Sequence, residues 1–154
     1  MGISRALQES VMRTLLSLVL LLCVSSVLVA QERPYTEGPV SVVTAVKIHD
    51  GQFDNYMDYL AKSYKPVLEA QKKAGLVVAY AMYTTQARNP KEPDMYLVVT
   101  YANMAAFDGL DDKAEAVAKS VTGQDRATAN TAYADRGKMR AILGSELIRE
   151  MVLK

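Results

Sequence analysis

Val42-Val43-Thr44-Ala45-Val46 runs within a few residues into Phe53-Asp54-Asn55-Tyr56, and Val98-Val99-Thr100-Tyr101-Ala102 runs into Phe107-Asp108-Gly109-Leu110. Each stretch opens on β-branched residues that suit a pleated surface, crosses a short polar loop and enters apolar positions at helical spacing. A chain that repeats strand, loop and helix, with a further strand after each helix, has the element order β-α-β-β-α-β.

The first strand is expected over Val40 to Ile48. Its positions Val42, Thr44, Val46 and Ile48 alternate with Ser41, Val43, Ala45 and Lys47, so both faces carry apolar groups and both should be covered. The turn His49-Asp50-Gly51 feeds a helix whose buried stripe is Phe53, Tyr56, Met57, Leu60, Tyr64, Val67, Leu68 and Gln71. Pro66 lies inside that pattern and predicts a kink or a split, and Gly75 suits the C-terminal cap. Leu76 to Thr84 and Met95 to Tyr101 read as the next strands, joined by a polar loop too long for a tight turn and free to cover a neighbouring site. Asn103 caps a second helix that runs to about Val121, interrupted by Gly109. A third helix is expected from Gln124 to about Leu143, where Ala127, Ala129, Ala132 and Ala134 would permit close helix packing, and Ser145 to Leu153 supplies the last strand. The fold class is α+β: a ferredoxin-like split βαβ domain with an extra helix and a four-stranded antiparallel sheet.

Residues 1–30 have the layout of a secretory signal peptide. Arg5 and Arg13 precede an apolar run from Leu15 through Val24, and Ala30 meets the polar stretch Gln31-Glu32-Arg33-Pro34. The expected product is exported, periplasmic or extracellular, cleaved after Ala30 or after Ser26. The alternative is an uncleaved anchor, for which the run from Leu15 to Ala30 is a little short of the ~20 residues of a span. The whole chain has 18 basic and 17 acidic residues; losing Arg5, Arg13 and Glu9 leaves 16 of each. A neutral mature chain has no clustered positive charge for nucleic acid, and no stable membrane association is expected after cleavage. Cys23 is the only cysteine and leaves with the signal, so no disulfide supports the domain. Residues 31–39 then read as an N-terminal extension and 40–154 as one domain.

A sheet with helices on one side leaves its other face open, and an apolar open face predicts a second copy packed sheet to sheet as a homodimer. The Tyr-rich segment Tyr56-Met57-Asp58-Tyr59-Leu60, the Lys65-Pro66-Val67 step and Asn103-Met104-Ala105-Ala106-Phe107 after the third strand resemble the dimeric α+β barrel superfamily. More narrowly they resemble its exported bacterial members akin to antibiotic-biosynthesis-monooxygenase and NIPSNAP-like domains, over about Val40 to Lys154. The resemblance implies a cavity between sheet and helices used for small-ligand binding, for cofactor-free oxygenation of an aromatic or quinol-type substrate, or for haem. Haem-degrading relatives use a tryptophan beside the histidine, and this chain has no Trp.

Three function classes follow: an exported small-molecule-binding or accessory barrel, a cofactor-independent monooxygenase, and a structural or interaction module. Tyr56, Tyr80 and Tyr96 are the candidate ligand-binding residues, because an aromatic body with a polar tip suits a small apolar or aromatic ligand. The same tyrosines also fit ordinary core and interface packing. His49 is the weak candidate for a catalytic base, yet His-Asp-Gly is first of all a turn. With one histidine and no mature cysteine, no histidine metal site is expected within one chain, and no cofactor is expected. Asp54 and Asp58, Lys72 and Lys73, and the run Arg136-Gly137-Lys138-Met139-Arg140 read as solvent-facing charge.

Overall fold

Strand β1, Tyr35–Ile48, lies inside the sheet because its β-branched residues can be packed from both sides. The computed structural model describes residues 32–154, and the fold belongs to the compact unit Tyr35–Lys154. The signal-peptide reading of residues 1–30 therefore lies outside the described residues. After β1 come helix α1, Phe53–Tyr59, a π-helical turn, Leu60–Tyr64, and helix α2, Lys65–Lys73. Strands β2, Ala79–Thr84, and β3, Met95–Tyr101, precede a 3₁₀ turn, Met104–Phe107. Helices α3, Leu110–Thr122, and α4, Arg126–Arg136, then lead into β4, Arg140–Leu153.

The four strands form one antiparallel sheet in the order β2-β3-β1-β4, with the expected β-α-β-β-α-β order and an extra helix before β4. No helix among the described residues is long and apolar enough to cross a membrane. Directly opposed partners share a face. Val42, Val99 and Tyr80 therefore lie on one face with Thr44, Leu97 and Met82, and Val43, Val98 and Ala81 lie on the other with Ala45, Tyr96 and Tyr83. Tyr56 and Leu60 pack onto the first face against Val46, Ile48, Met95 and Leu97, and this is the core. Among the described residues no helix lies over the second face. Between Ala45 and Val46 the register with β4 slips, because Gly144 and Ile142 are the successive partners and Leu143 is an extra residue.

Pro66 does split the long helix, and the way it does so explains the core. Tyr56, Leu60, Tyr64 and Leu68 recur every four residues, which overshoots an α turn by about 40° at each step. The wider π turn takes up that overshoot just before Pro66, whose missing N–H an α ladder would leave as a gap. The result keeps Tyr56, Leu60 and Leu68 buried on one side. Gly75, at φ +75°, closes α2: its amide donates to Lys72 and the Leu76 amide donates to Gln71, a Schellman pair.

Several boundaries differ from expectation: Asn103 caps only the 3₁₀ turn, so α3 begins at Leu110, and β4 begins at Arg140 rather than Ser145. β1 starts at Tyr35, so five residues assigned to the N-terminal extension are strand, paired with the end of β4. β2 starts at Ala79 rather than Leu76, since Leu76 is still engaged in the helix cap. The third helix ends at Arg136, not near Leu143. There the amides of Gly137, Lys138 and Met139 turn back onto Ala134, Asp135 and Arg136, and Arg140, Ala141 and Ile142 pair with Ile48, Lys47 and Val46. Strand pairing with the buried end of β1 outweighs the helix propensity of the run. Close helix packing by the alanines of α4 is not observed either: Ala127, Ala129 and Ala134 are exposed and only Ala132 is half-buried.

Candidate functional site

The end of α4 and the start of β4 deliver two arginines, Arg136 and Arg140, to the same place. Three residues separate them, and that short link is pinned to the opposite turn. The His49 amide donates to the Met139 carbonyl at 2.9 Å, and His49 Nε2 donates to the Gly137 carbonyl at 3.0 Å. A glycine is needed in the link because a Cβ on residue 137 would stand 2.9 Å from the Ala134 carbonyl oxygen.

Opposite the arginines, the α1 and π segments present a row of tyrosines. The rings of Tyr56 and Tyr59 stack at 5.9 Å, and Tyr64 follows Tyr59 at 6.5 Å. The Arg136 guanidinium lies 5.0 Å from the Tyr59 ring centre and 5.2 Å from that of Tyr133 on α4. Arg140 lies 5.8 Å from Tyr56 and 5.3 Å from the same Tyr133 ring. Such contacts partly replace the water a cation loses on burial. Arg140 is 8 % exposed, the one charged residue in the buried set of the described chain.

Burial raises the Tyr56 hydroxyl above its ordinary value, opposed by the Arg140 charge beside it. Burial, together with the neighbouring tyrosines, pushes Tyr64 up to about 12. Both are neutral phenols at neutral pH. The nearby carboxylates are already engaged: Asp135 with Lys138 at 2.8 Å, Glu115 with Arg126, and Asp125 with the Thr128 amide at 2.9 Å. Beside Arg136 a cleft of about 500 Å³ opens between the long helix and α4, walled by Tyr59, Lys62, Pro66, Val121 and Ala132. A smaller recess of about 180 Å³ shares Tyr59 and Arg136 and adds Tyr64 and Val67.

The structure does not bring the three candidate tyrosines together. Tyr56 is buried in the core and touches the arginine cluster. Tyr80 shares the helix-covered face, but its exposed hydroxyl donates to Glu69 of α2, and that bond raises its pKa. Tyr96 is on the opposite, open face, where it lines a hollow of about 500 Å³ with Val43, Pro93 and Leu143. His49 is exposed in its turn and ties the link between the arginines. Arg136 and Arg140 correct the solvent-facing reading of that run; of its charged residues only Lys138 is exposed. Ending the helix at Gly137 would have been the signal, because it turns Arg140 into the first residue of a strand facing the core.

Comparison with known proteins names no family. No family model matches the chain, and no curated protein matches it. Among solved structures, HapK from Hahella chejuensis is 13% identical, with 72% of this chain and 91% of that one covered and a TM-score of 0.48. A dimeric ferredoxin-like protein from an uncultured marine organism is 15% identical, with 77% and 98% covered and a TM-score of 0.49.

Proposed function

We propose that the chain is an exported small-molecule-binding protein of the dimeric α+β barrel type, akin to antibiotic-biosynthesis-monooxygenase and NIPSNAP-like domains, that holds its ligand in the cleft beside Tyr59 and Arg136. The observation that carries the binding role is the cleft itself, large enough for a small ligand and walled by the Tyr59 ring, by Pro66 and Val121, and by the charged residues Lys62, Asp135 and Arg136. Helix α4, which closes one side, has little of its own surface buried, so the gap beneath it is not filled by the chain's own packing.

The homodimer is supported by the other side of the sheet. Val43, Val98, Ala81, Ala45, Tyr96 and Tyr83 form a largely apolar field, with Glu146 at its β4 side, over which no helix of the described residues lies. The edge strand β4 adds Ile148 and, by alternation, Val152 on the same face, both exposed. A long apolar edge and face left in water invites association, and a two-fold copy covers both at once. Catalysis by His49 gains no support from geometry, since its Nε2 is engaged by the Gly137 carbonyl.

Native mass spectrometry of the purified protein tests both parts. The expected spectrum has twice the chain mass and an added small molecule; a bare monomer with no affinity for any compound of a small-aromatic library overturns the reading.

A further inference from the structure

The ligand class follows from the charges, and the step rests on the cleft being a binding site. We infer that Arg136 and Arg140, framed by Tyr59 and Tyr133, form a binding site for an aromatic carboxylate. Two guanidiniums share the single ring of Tyr133, at 5.2 and 5.3 Å, and one of them is almost wholly out of water. Like charges held together at low dielectric are unfavourable unless an anion joins them. Arginine cannot relieve this by losing its proton.

Among the described residues no carboxylate does the joining. Asp135 lines the cleft but is paired with Lys138, Glu115 and Asp125 are engaged by Arg126 and the Thr128 amide, and the phenols nearby are neutral. The Nε atoms of Arg136 and Arg140 are both buried with no hydrogen-bond partner. Arg149 shares that feature, but its guanidinium has Glu37 at 2.6 Å. Arg136 lines the cleft, and Arg140 adds its charge from beside the same ring.

The rest of the wall selects the ligand's body. Tyr59, Pro66 and Val121 offer a ring face and apolar surface for a flat ring, and Lys62, Ser63, Thr122 and Gln124 beside them offer donors for its polar substituents. Such a ligand would also bridge the long helix to α4, supplying contacts that α4 lacks.

Calorimetric titration of the purified protein with 1-naphthoate, 1-naphthamide and inorganic phosphate tests this. Naphthoate is expected to bind, with naphthamide and phosphate at least tenfold weaker, and with affinity falling as salt rises. Arg136→Gln should weaken naphthoate roughly tenfold to a hundredfold, the range of a hydrogen bond to a charged group. Arg140→Met should lose naphthoate while its thermal midpoint holds or rises, because the buried cation is retained for binding rather than for stability. Equal binding of acid and amide overturns the anion assignment and leaves the cleft standing. Equal binding of phosphate and naphthoate overturns the aromatic part. Unchanged naphthoate affinity in Arg136→Gln overturns the site, and silence from all three probes in a protein that also carries no native ligand overturns the cleft with it.

Discussion

Val98→Asp is the sharpest perturbation of the sheet's open face. Val98 is central: it stands opposite Val43 on one side and Ala81 on the other, with no charged partner at its register position. In one chain it is half-buried, so a partner sheet removes only the remaining half of its surface from water. Full burial of a valine contributes about 1.5–3 kcal/mol, which leaves about 1 kcal/mol for the dimer step. A two-fold axis places the substitution twice, for a loss of about 2 kcal/mol. Desolvating two carboxylates at a dry interface adds several kcal/mol more. Even at the low end the sum approaches 4 kcal/mol, close to a thousandfold in the dimer dissociation constant. Sedimentation equilibrium across nanomolar to micromolar protein should show wild type as dimer and Val98→Asp as monomer. Val98→Thr, which keeps the shape and the strand preference, should stay dimeric. Circular dichroism should report the same sheet in all three, since in the monomer the new carboxylate points to water. A dimer constant unchanged by Val98→Asp would refute the reasoning and force another cover for this face.

Leu60→Ala, at the buried start of the π turn, should cost about 2–5 kcal/mol in denaturant unfolding, as large-to-small changes in a packed core do, and a loss below 1 kcal/mol would deny the turn its place in the core. Gly137→Ala brings a Cβ against the Ala134 carbonyl and should lower stability by about 1–3 kcal/mol while disturbing the arginines on either side; no change in midpoint would mean the link yields freely. Asp94 gives a pH test. Its partial burial works to raise the pKa, but Lys47 Nζ at 2.7 Å and the Ile48 amide at 2.9 Å hold it below the ordinary 3.8. A depressed folded-state pKa adds stability that is complete above the ordinary value and is lost as pH falls through the folded one. The stability gap between wild type and Asp94→Asn should therefore be flat near neutrality and close below about pH 4; a gap that persists at pH 2 would place the effect outside this carboxylate.

The sheet was legible because its signals are local. Met95 to Tyr101 has seven residues of strand composition between a polar loop and an Asn cap, and it is observed with those bounds. Pro66 announced a break in the long helix, though not that a π turn would accommodate it, since a four-residue spacing and a 3.6-residue one differ little over two turns. The run Ala127 to Leu143 misled because alanine, arginine and lysine all favour helix. What ends the helix is long-range: Arg140 to Ile142 have β1 partners about a hundred residues earlier, and propensity carries no such information. The site was lost with that boundary. On a continuous helix Arg136 and Arg140 fall on one solvent stripe; on a helix end and a strand start they converge on Tyr133.

The placement of the arginines also explains why the two sides of the sheet can serve different ends. Arg140 pairs with Ile48 at the end of β1 where the helix-covered face is best packed, and the apolar field of Val43 and Val98 begins on the reverse of the same strands. The extra residue Leu143 sits between these regions: without it, the alternation of β4 would carry Arg140 to the open face, where a guanidinium would lie in the proposed dimer interface. One inserted residue thus sends a cation inward to the tyrosines and leaves Ile148 outward with the apolar field. The buried guanidinium lies on the helix-covered face, and the field around Val98 on the face that no helix of the described residues covers.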